Sequence, residues 1–236
     1  MQRSGPQSPS ARLANYAQAF TQAPSPVAQL VALYRMEDIS RLLAPEQMQA
    51  ALARLAATPK LDPLLAAEIA SQQAMAHLRA GDGPAAAAVW RQLGVLEHWQ
   101  GMGPFDNASP AAIANEVGPE KTAAVDLHAS YQGKQRKVAW RPLPFPANLG
   151  GLDLGAYLSP AESASAYVVT WVRSPEAQAV ALRLRDSGST RIWVNGALAF
   201  QEQGAHPSDG FDQHAAGARL RAGWNQILAK VGDSES

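Results

Sequence analysis

The spacing of apolar residues changes near Leu96, and this change limits the fold more than any other feature of the 236-residue sequence. From about residue 27 to residue 93, apolar side chains recur every three or four positions, for example at Val27, Leu30, Val31 and Tyr34. That period is typical of amphipathic helices. Downstream, short runs alternate between apolar and polar residues and are separated by turn residues, as strands are. The sequence therefore predicts an α+β protein in two parts.

Helix-breaking residues divide the upstream part into short helices. Pro45 suits the first turn of one helix, Thr58-Pro59 ends it, and Asp62-Pro63 begins the next. The last two helices, over residues 64–79 and 85–93, form a predicted hairpin. This hairpin is similar to one tetratricopeptide-type repeat, and plain helical-bundle packing is the alternative. We predict an antiparallel α-helical array over residues 25–96, preceded by a flexible segment over residues 1–24.

The downstream part, over residues 97–236, has the pattern of an antiparallel β-sandwich or jelly roll. In the run AVALRLR, residues Val180, Leu182 and Leu184 share one face, and Arg183 and Arg185 share the other. The stretch from residue 106 to residue 120 carries few strand signals and is predicted to be an extended loop.

The segment STRIWVNG, which ends in Asn195-Gly196, predicts a strand followed by a two-residue turn, because Asn-Gly favours positive φ at both turn positions. If the runs around residues 182 and 192 pair, Leu184 must lie opposite Ile192 and Leu182 opposite Val194 to keep the apolar faces together. That register places Arg183 beside Trp193 and Arg185 beside Arg191.

Trp193 has three possible roles in this arrangement. Its ring covers the sheet or meets the helical part, or it stacks on a sugar or another planar ligand, or it belongs to an interface with a missing partner. In the second case Arg183, Arg185 and Arg191 form a polar rim. Trp171 is a further candidate for a ligand-binding ring, and a sugar-binding protein would expose Trp193 or Trp171 in a groove.

Five segments carry a resemblance to a known family: HWQGMGPFDN, GPE, YQGKQRKVAWR, STRIWVNG and LRAGWNQILAKV. In this order they resemble a galactose-binding-like β-sandwich, similar to an accessory domain of large bacterial proteins that also carry tetratricopeptide-like helices and a transglutaminase-like domain. The Asn-Gly turn and the GWN segment are also similar to the sugar-binding domain of β-galactosidase-type glycoside hydrolases. The resemblance implies an accessory module of a larger, exported or periplasmic protein.

The sequence departs from this family pattern in two ways. Such sandwiches continue beyond the GWN strand, so one expectation is that the sandwich is truncated at its C-terminus. The sequence also contains no cysteine, which excludes the Cys-His-Asp triad of a transglutaminase.

Charge and motif content exclude several other functions. Twenty basic residues balance twenty acidic residues, so the sequence predicts no nucleic-acid partner, and it contains no apolar run long enough for a signal peptide or membrane insertion. No GxSxG, HExxH or phosphate-binding glycine motif is present. We therefore expect a protein that is not an enzyme, with no cofactor. Asp209 and Asp212 are weak candidates for calcium ligands, although SDGFD is equally typical of a turn.

Two functional hypotheses follow. The first is a non-catalytic carbohydrate- or glycan-binding accessory module. The second is a structural segment that binds another domain or protein and has no sugar site.

Overall fold

A computed structural model of the chain describes residues 7–146, 150–186, 188–204 and 214–232. These residues form five α-helices and ten β-strands, which confirms the α+β class. The chain divides into two compact units. The α unit contains residues 1–95 and 146–151, and the β unit contains residues 96–145 and 152–236. The division after Val95 lies next to the change of hydrophobic period at Leu96.

The helices of the α unit begin and end close to the breaks that the sequence indicates. They are α1 (Pro9–Gln22), α2 (Pro26–Ile39), α3 (Pro45–Ala56), α4 (Pro63–Arg79) and α5 (Gly83–Gln92), with a 3-10 turn over Ser40–Leu42.

Proline and a capping side chain fix the starts of these helices. All five have proline in the first turn, where the missing N–H costs nothing. Ser8 and Ser25 accept hydrogen bonds from Ala11 N and Ala28 N at 3.2 and 3.3 Å. Asp62 and Asp82 cap α4 and α5 in the same way.

Helix α1 corrects the prediction of a flexible segment over residues 1–24. Leu13 and Phe20 are buried in the helical core, and Tyr16 and Ala17 pack against it. These four residues have the i, i+3, i+4, i+7 spacing of an apolar helix face, so the signal was present in the sequence. Polar residues around that face obscured it.

The core of the α unit is continuous across its first four helices. Leu33 and Met36 of α2, Met48 and Leu52 of α3, and Leu65 and Ile69 of α4 belong to one buried cluster. Gly150, from the return of the chain to this unit, has φ +65° and approaches Trp90 so closely that a Cβ would lie 2.5 Å from the indole ring. Only glycine satisfies both conditions.

The β unit is built on a six-stranded antiparallel sheet with the order β4-β1-β5-β10-β7-β8. Two further antiparallel pairs, β2-β3 and β6-β9, lie outside it. The strands are β1 (Trp99–Asp106), β2 (Ser130–Gln132), β3 (Lys137–Ala139), β4 (Arg141–Leu143), β5 (Ala164–Ser174), β6 (Gln178–Leu184), β7 (Ser189–Val194), β8 (Ala197–Glu202), β9 (His214–Leu220) and β10 (Gly223–Gly232).

Both faces of the central sheet carry apolar clusters. On one face, which we call face A, Tyr167, Val169, Trp193 and Leu228 pack with Val138 of β3. On the opposite face, face B, Val168, Ile192, Ile227 and Ala229 pack with Leu182 and Leu184 of β6. The sheet is therefore covered by β2-β3 on one side and by β6-β9 on the other, which fits a sandwich-like fold.

The predicted pairing of the strands around residues 182 and 192 is wrong. Strand β6 pairs with β9, so Arg183 lies opposite Ala215, whereas β7 pairs with β8 and β10 in the central sheet. Arg183 and Trp193 are in different sheets. Alternation showed which residues of a strand share a face, but it carries no information about the partner strand.

The segment from Asp106 to Glu120 contains no strand beyond Asp106, the last residue of β1, as predicted. It contains a 3-10 turn over Pro110–Ala114, and a second begins at Pro119. No helix within the described residues has the length and apolarity needed to cross a membrane.

The position of α1 in the core yields a stability prediction. Phe20→Ala, which empties a fully buried site, should lower the free energy of unfolding of the α unit by about 3–5 kcal/mol in urea titrations followed by circular dichroism. Val27→Ala, at a side chain that is 72% exposed, is the matched control and should change it by less than about 0.5 kcal/mol. Equal effects of the two substitutions would contradict the placement of α1.

Candidate functional site

The Asn195-Gly196 turn is fixed by a second asparagine at the start of β10. The two turn residues have φ values of +51° and +83°, which confirms the predicted two-residue turn between β7 and β8. Asn195 Nδ2 donates to Asn225 Oδ1 at 2.8 Å, and Gln226 N donates to Asn195 Oδ1 at 3.0 Å. Asn195 is therefore a structural residue that ties two turns together.

Asn225 is fully buried and completes this network. Its Oδ1 also accepts from Arg221 N, and its Nδ2 donates to the carbonyl oxygens of Arg221 and Gly223. Gly223 has φ +92°, which favours glycine. In the GWN segment, Gly223 and Asn225 thus both build the turn that precedes β10.

Trp193 lies in the core of the β unit. It is 5% exposed and packs on face A with Val169 and Leu228. The guanidinium carbon of Arg191 lies 5.1 Å from its ring centroid, and Arg191 Nη1 donates to Ala114 O. The ring is buried against the sheet. Of the three predicted roles, covering the sheet therefore describes this position best.

The other predicted rim residues do not surround Trp193. Arg183 belongs to the β6-β9 pair, and Arg185 is exposed and lines a separate cavity of about 410 Å³. That cavity has an apolar side formed by Leu154 and Leu158. Asp186 also lines it, and its Oδ1 lies 3.6 Å from His214 Nε2. The structure therefore does not bring the three predicted arginines together with Trp193.

A row of polar side chains crosses the middle of face A. Tyr167, Lys230 and Arg191 lie directly opposite one another on β5, β10 and β7. Lys230 is 1% exposed, its Nζ donates to Asn115 O at 2.6 Å, and it lies 5.4 Å from the ring centroid of Tyr167. The Tyr167 hydroxyl donates to Glu120.

These contacts fasten the strandless segment over residues 107–122 to the sheet. Glu120 also accepts from the backbone N–H groups of Val117 and Gly118. Burial lowers the pKa of Lys230, and the nearby carboxylate of Glu120 partly opposes that change. Burial, followed by the hydrogen bond to Glu120, raises the pKa of Tyr167 well above its ordinary value. With their donors bonded to the covering segment, Lys230 and Tyr167 act as anchors of this segment.

Two tryptophans of the sheet are exposed, and packing in the core does not account for them. Trp171 of β5 and Trp224 of β10 are 37% and 61% exposed. Trp171 lies opposite Gln226, and Trp224 lies opposite Arg173, so all four side chains project from face A. The two rings are diagonal neighbours on adjacent strands, within reach of a common ligand. We call this group, Trp171, Arg173 and Trp224, the aromatic face.

Burial along the two central strands shows why these rings are exposed. Strand β5 is buried on both sides from Ala164 to Thr170, and exposure begins at Trp171. Strand β10 is buried from Asn225 to Lys230, with Trp224 exposed immediately before this run. The aromatic face therefore lies where the layers covering the sheet end.

The sequence analysis named Trp171 but missed Trp224 and Arg173. The available signal was the GWN segment itself: its glycine and asparagine have turn-building properties, and its tryptophan has none. The register between β5 and β10, which brings these residues together across more than fifty positions, could not be read from either strand alone.

Within the described ranges, no three His, Asp or Glu side chains are grouped as metal ligands. The calcium candidates Asp209 and Asp212 lie outside the described residues.

Comparison with known proteins adds no assignment. No family model matches the sequence, and no curated protein matches it significantly. The argument for function therefore depends on the geometry of the chain itself.

Asn225→Ala should strongly destabilise the β unit. It removes four side-chain hydrogen bonds at a fully buried position, so we expect a loss of about 2–4 kcal/mol in the free energy of unfolding, measured by urea titration. Asn115→Ala is the matched control, because the side chain of Asn115 is exposed and only its carbonyl oxygen binds Lys230. A loss below about 1 kcal/mol for Asn225→Ala would contradict the assigned network.

Tyr167 should make the β unit unstable at alkaline pH. Its pKa is raised in the folded state, so the unfolded chain ionises first, near pH 10, and stability falls as pH rises further. Tyr167→Phe should cost about 1–3 kcal/mol at neutral pH and reduce the slope above pH 10 by up to about 1.4 kcal/mol per pH unit. The lowered pKa of Lys230 acts with the opposite sign, because it makes stability rise towards pH 10.5 in both proteins.

Urea titrations between about pH 8 and pH 11.5 measure this slope. Tyr157→Phe, at a half-buried tyrosine of the same unit, is the matched control. An equal reduction of slope in the control and in Tyr167→Phe would show that the hydrogen bond to Glu120 is not its source.

Proposed function

We propose that the β unit is a non-catalytic carbohydrate-binding module of the galactose-binding-like type, and that its ligand binds at the aromatic face. The exposure of Trp224 carries this proposal. Its two neighbours in the GWN segment hold the turn, whereas the indole ring of Trp224 remains 61% exposed on β10. A large ring in this position is better explained by a ligand than by the fold.

The chemistry of the aromatic face suits a sugar. A pyranose ring has an apolar face of C–H groups, which packs on an indole ring, and a polar edge that needs hydrogen-bond partners. Trp171 and Trp224 supply two adjacent indoles, and Arg173 supplies donors beside them. Adjacent rings can contact successive units of a glycan chain. The predicted sugar-binding role of Trp171 is kept in this proposal, and that of Trp193 is replaced by Trp224.

The resemblance to galactose-binding-like sandwiches supports the same function. It extends over the segments that form β1, the β7-β8 turn and β10, and the aromatic face includes the tryptophan of GWN. In this interpretation the α unit is the tetratricopeptide-like neighbour, and the chain is part of an exported bacterial protein.

One observation favours the second hypothesis, a module that binds another protein. Strand β8 is at the edge of the central sheet, and its Leu198 is 48% exposed. An edge strand with an exposed apolar side chain can pair with a strand of another chain. This surface is distinct from the aromatic face, so the two hypotheses can be separated by mutation.

A glycan array probed with the full chain tests the proposal. Trp224→Ala should weaken binding by at least about tenfold, because a tryptophan at the centre of a binding surface commonly contributes that much. Its far-ultraviolet circular dichroism and unfolding midpoint should stay close to those of the wild type, because the ring is mostly exposed.

Leu198→Ala is the matched control and should leave glycan binding unchanged. If the folded wild-type chain binds no glycan, or if Leu198→Ala abolishes binding and Trp224→Ala does not, the carbohydrate-binding proposal is wrong. The second result would indicate that the ligand binds at the edge strand β8 instead of the aromatic face.

A further inference from the structure

We infer that the glycan bound at the aromatic face is acidic, with carboxylate groups that are bound by Arg173 and Arg221. This inference rests on the carbohydrate-binding function proposed above. It concerns the class of ligand and follows from the charges beside the two rings.

Arg173 lies directly across the β5-β10 pair from Trp224. Directly opposed residues on adjacent antiparallel strands have Cβ atoms about 4.5–5.5 Å apart, so the two side chains are neighbours on face A. Arg173 is exposed. Its guanidinium is therefore available to a group that extends beyond the edge of a sugar stacked on Trp224.

Arg221 supplies a second positive charge from the turn before β10. Its backbone is held by Asn225, and its Nε donates to Trp224 O at 3.4 Å. This contact keeps the side chain close to the backbone of Trp224, although the residue as a whole is exposed. The turn network thus positions a tryptophan and an arginine together.

Neither arginine is neutralised within the described part of the chain. No carboxylate there forms an ion pair with Arg173 or Arg221, even though Glu176 follows Arg173 by only three residues. The whole chain has no net charge, so this pair of cations is a local feature. A local positive charge beside two stacking rings selects an anionic ligand with a flat apolar face.

A uronic acid combines these two properties. Its carboxylate is attached to the ring carbon at the edge of the pyranose, so the ring can stack on an indole while the carboxylate projects sideways. The planar guanidinium group binds a carboxylate through two parallel hydrogen bonds. Single-stranded nucleic acid also combines rings and anions, but the balance of twenty basic and twenty acidic residues in the sequence disfavours it.

Calorimetric titration of the full chain at neutral pH tests the inference with an oligogalacturonide and its methyl ester, in which each carboxylate is replaced by an uncharged methyl ester group. The wild type should bind the acid more tightly than the ester, and in the double variant Arg173→Gln/Arg221→Gln the ratio of acid to ester affinity should fall roughly five- to tenfold. The preference should also shrink as salt rises from about 20 to 200 mM. Arg141→Gln, at an exposed arginine of edge strand β4, is the charge-matched control and should keep the preference.

The possible outcomes separate this inference from the proposed function. Equal binding of acid and ester, or binding of neutral glycans only on the array, would overturn the acidic ligand and leave carbohydrate binding in place. Equally tight binding of polyglutamate or oligothymidylate would also overturn it, because charge alone would then explain the affinity. A folded chain that binds no glycan would refute both the proposed function and this inference.

Discussion

The side chain of Asn225 is the constraint on which the end of the β unit with the exposed tryptophans depends. It joins the turn before β10 to the turn between β7 and β8, at a position with no exposure to solvent. A buried amide of this kind is costly unless its donors and acceptor are all used, and here they are. Because Asn225 follows Trp224 directly, the same network that closes the sheet also fixes the direction of the exposed ring.

Lys230 has a different role, because it holds the strandless segment over residues 107–122 against the sheet. Burial of an ammonium group is unfavourable in an apolar core. Lys230 offsets that cost with a carbonyl acceptor and the face of Tyr167, while Tyr167 in turn binds Glu120 of the covering segment. The contacts that offset the cost of burying Lys230 therefore also attach residues 107–122 to the sheet. An apolar residue at position 230 would pack on face A but would leave Asn115 O without this donor.

Local sequence signals predicted elements well and partners poorly. Proline and asparagine positions located helix starts and the β7-β8 turn, because the φ preferences of these residues act within a few positions. Helix α1 was missed although its apolar face has the regular spacing of Leu13, Tyr16, Ala17 and Phe20. The pairing of β6 with β9 and the insertion of β10 between β5 and β7 depend on contacts between distant residues, which alternation within one strand does not encode.

The six tryptophans of the sequence differ in whether packing within the fold accounts for their positions. Trp90, Trp99, Trp140 and Trp193 are buried or pack against one of the apolar clusters, so the fold accounts for them. Trp171 and Trp224 are left, and they lie on one face, on adjacent strands, beside two arginines that form no ion pair with a carboxylate in the described part of the chain. A single exposed apolar residue on a protein surface needs no explanation. Two large rings and two arginines close together at one end of the sheet are therefore the observation on which the proposed binding of an acidic glycan rests.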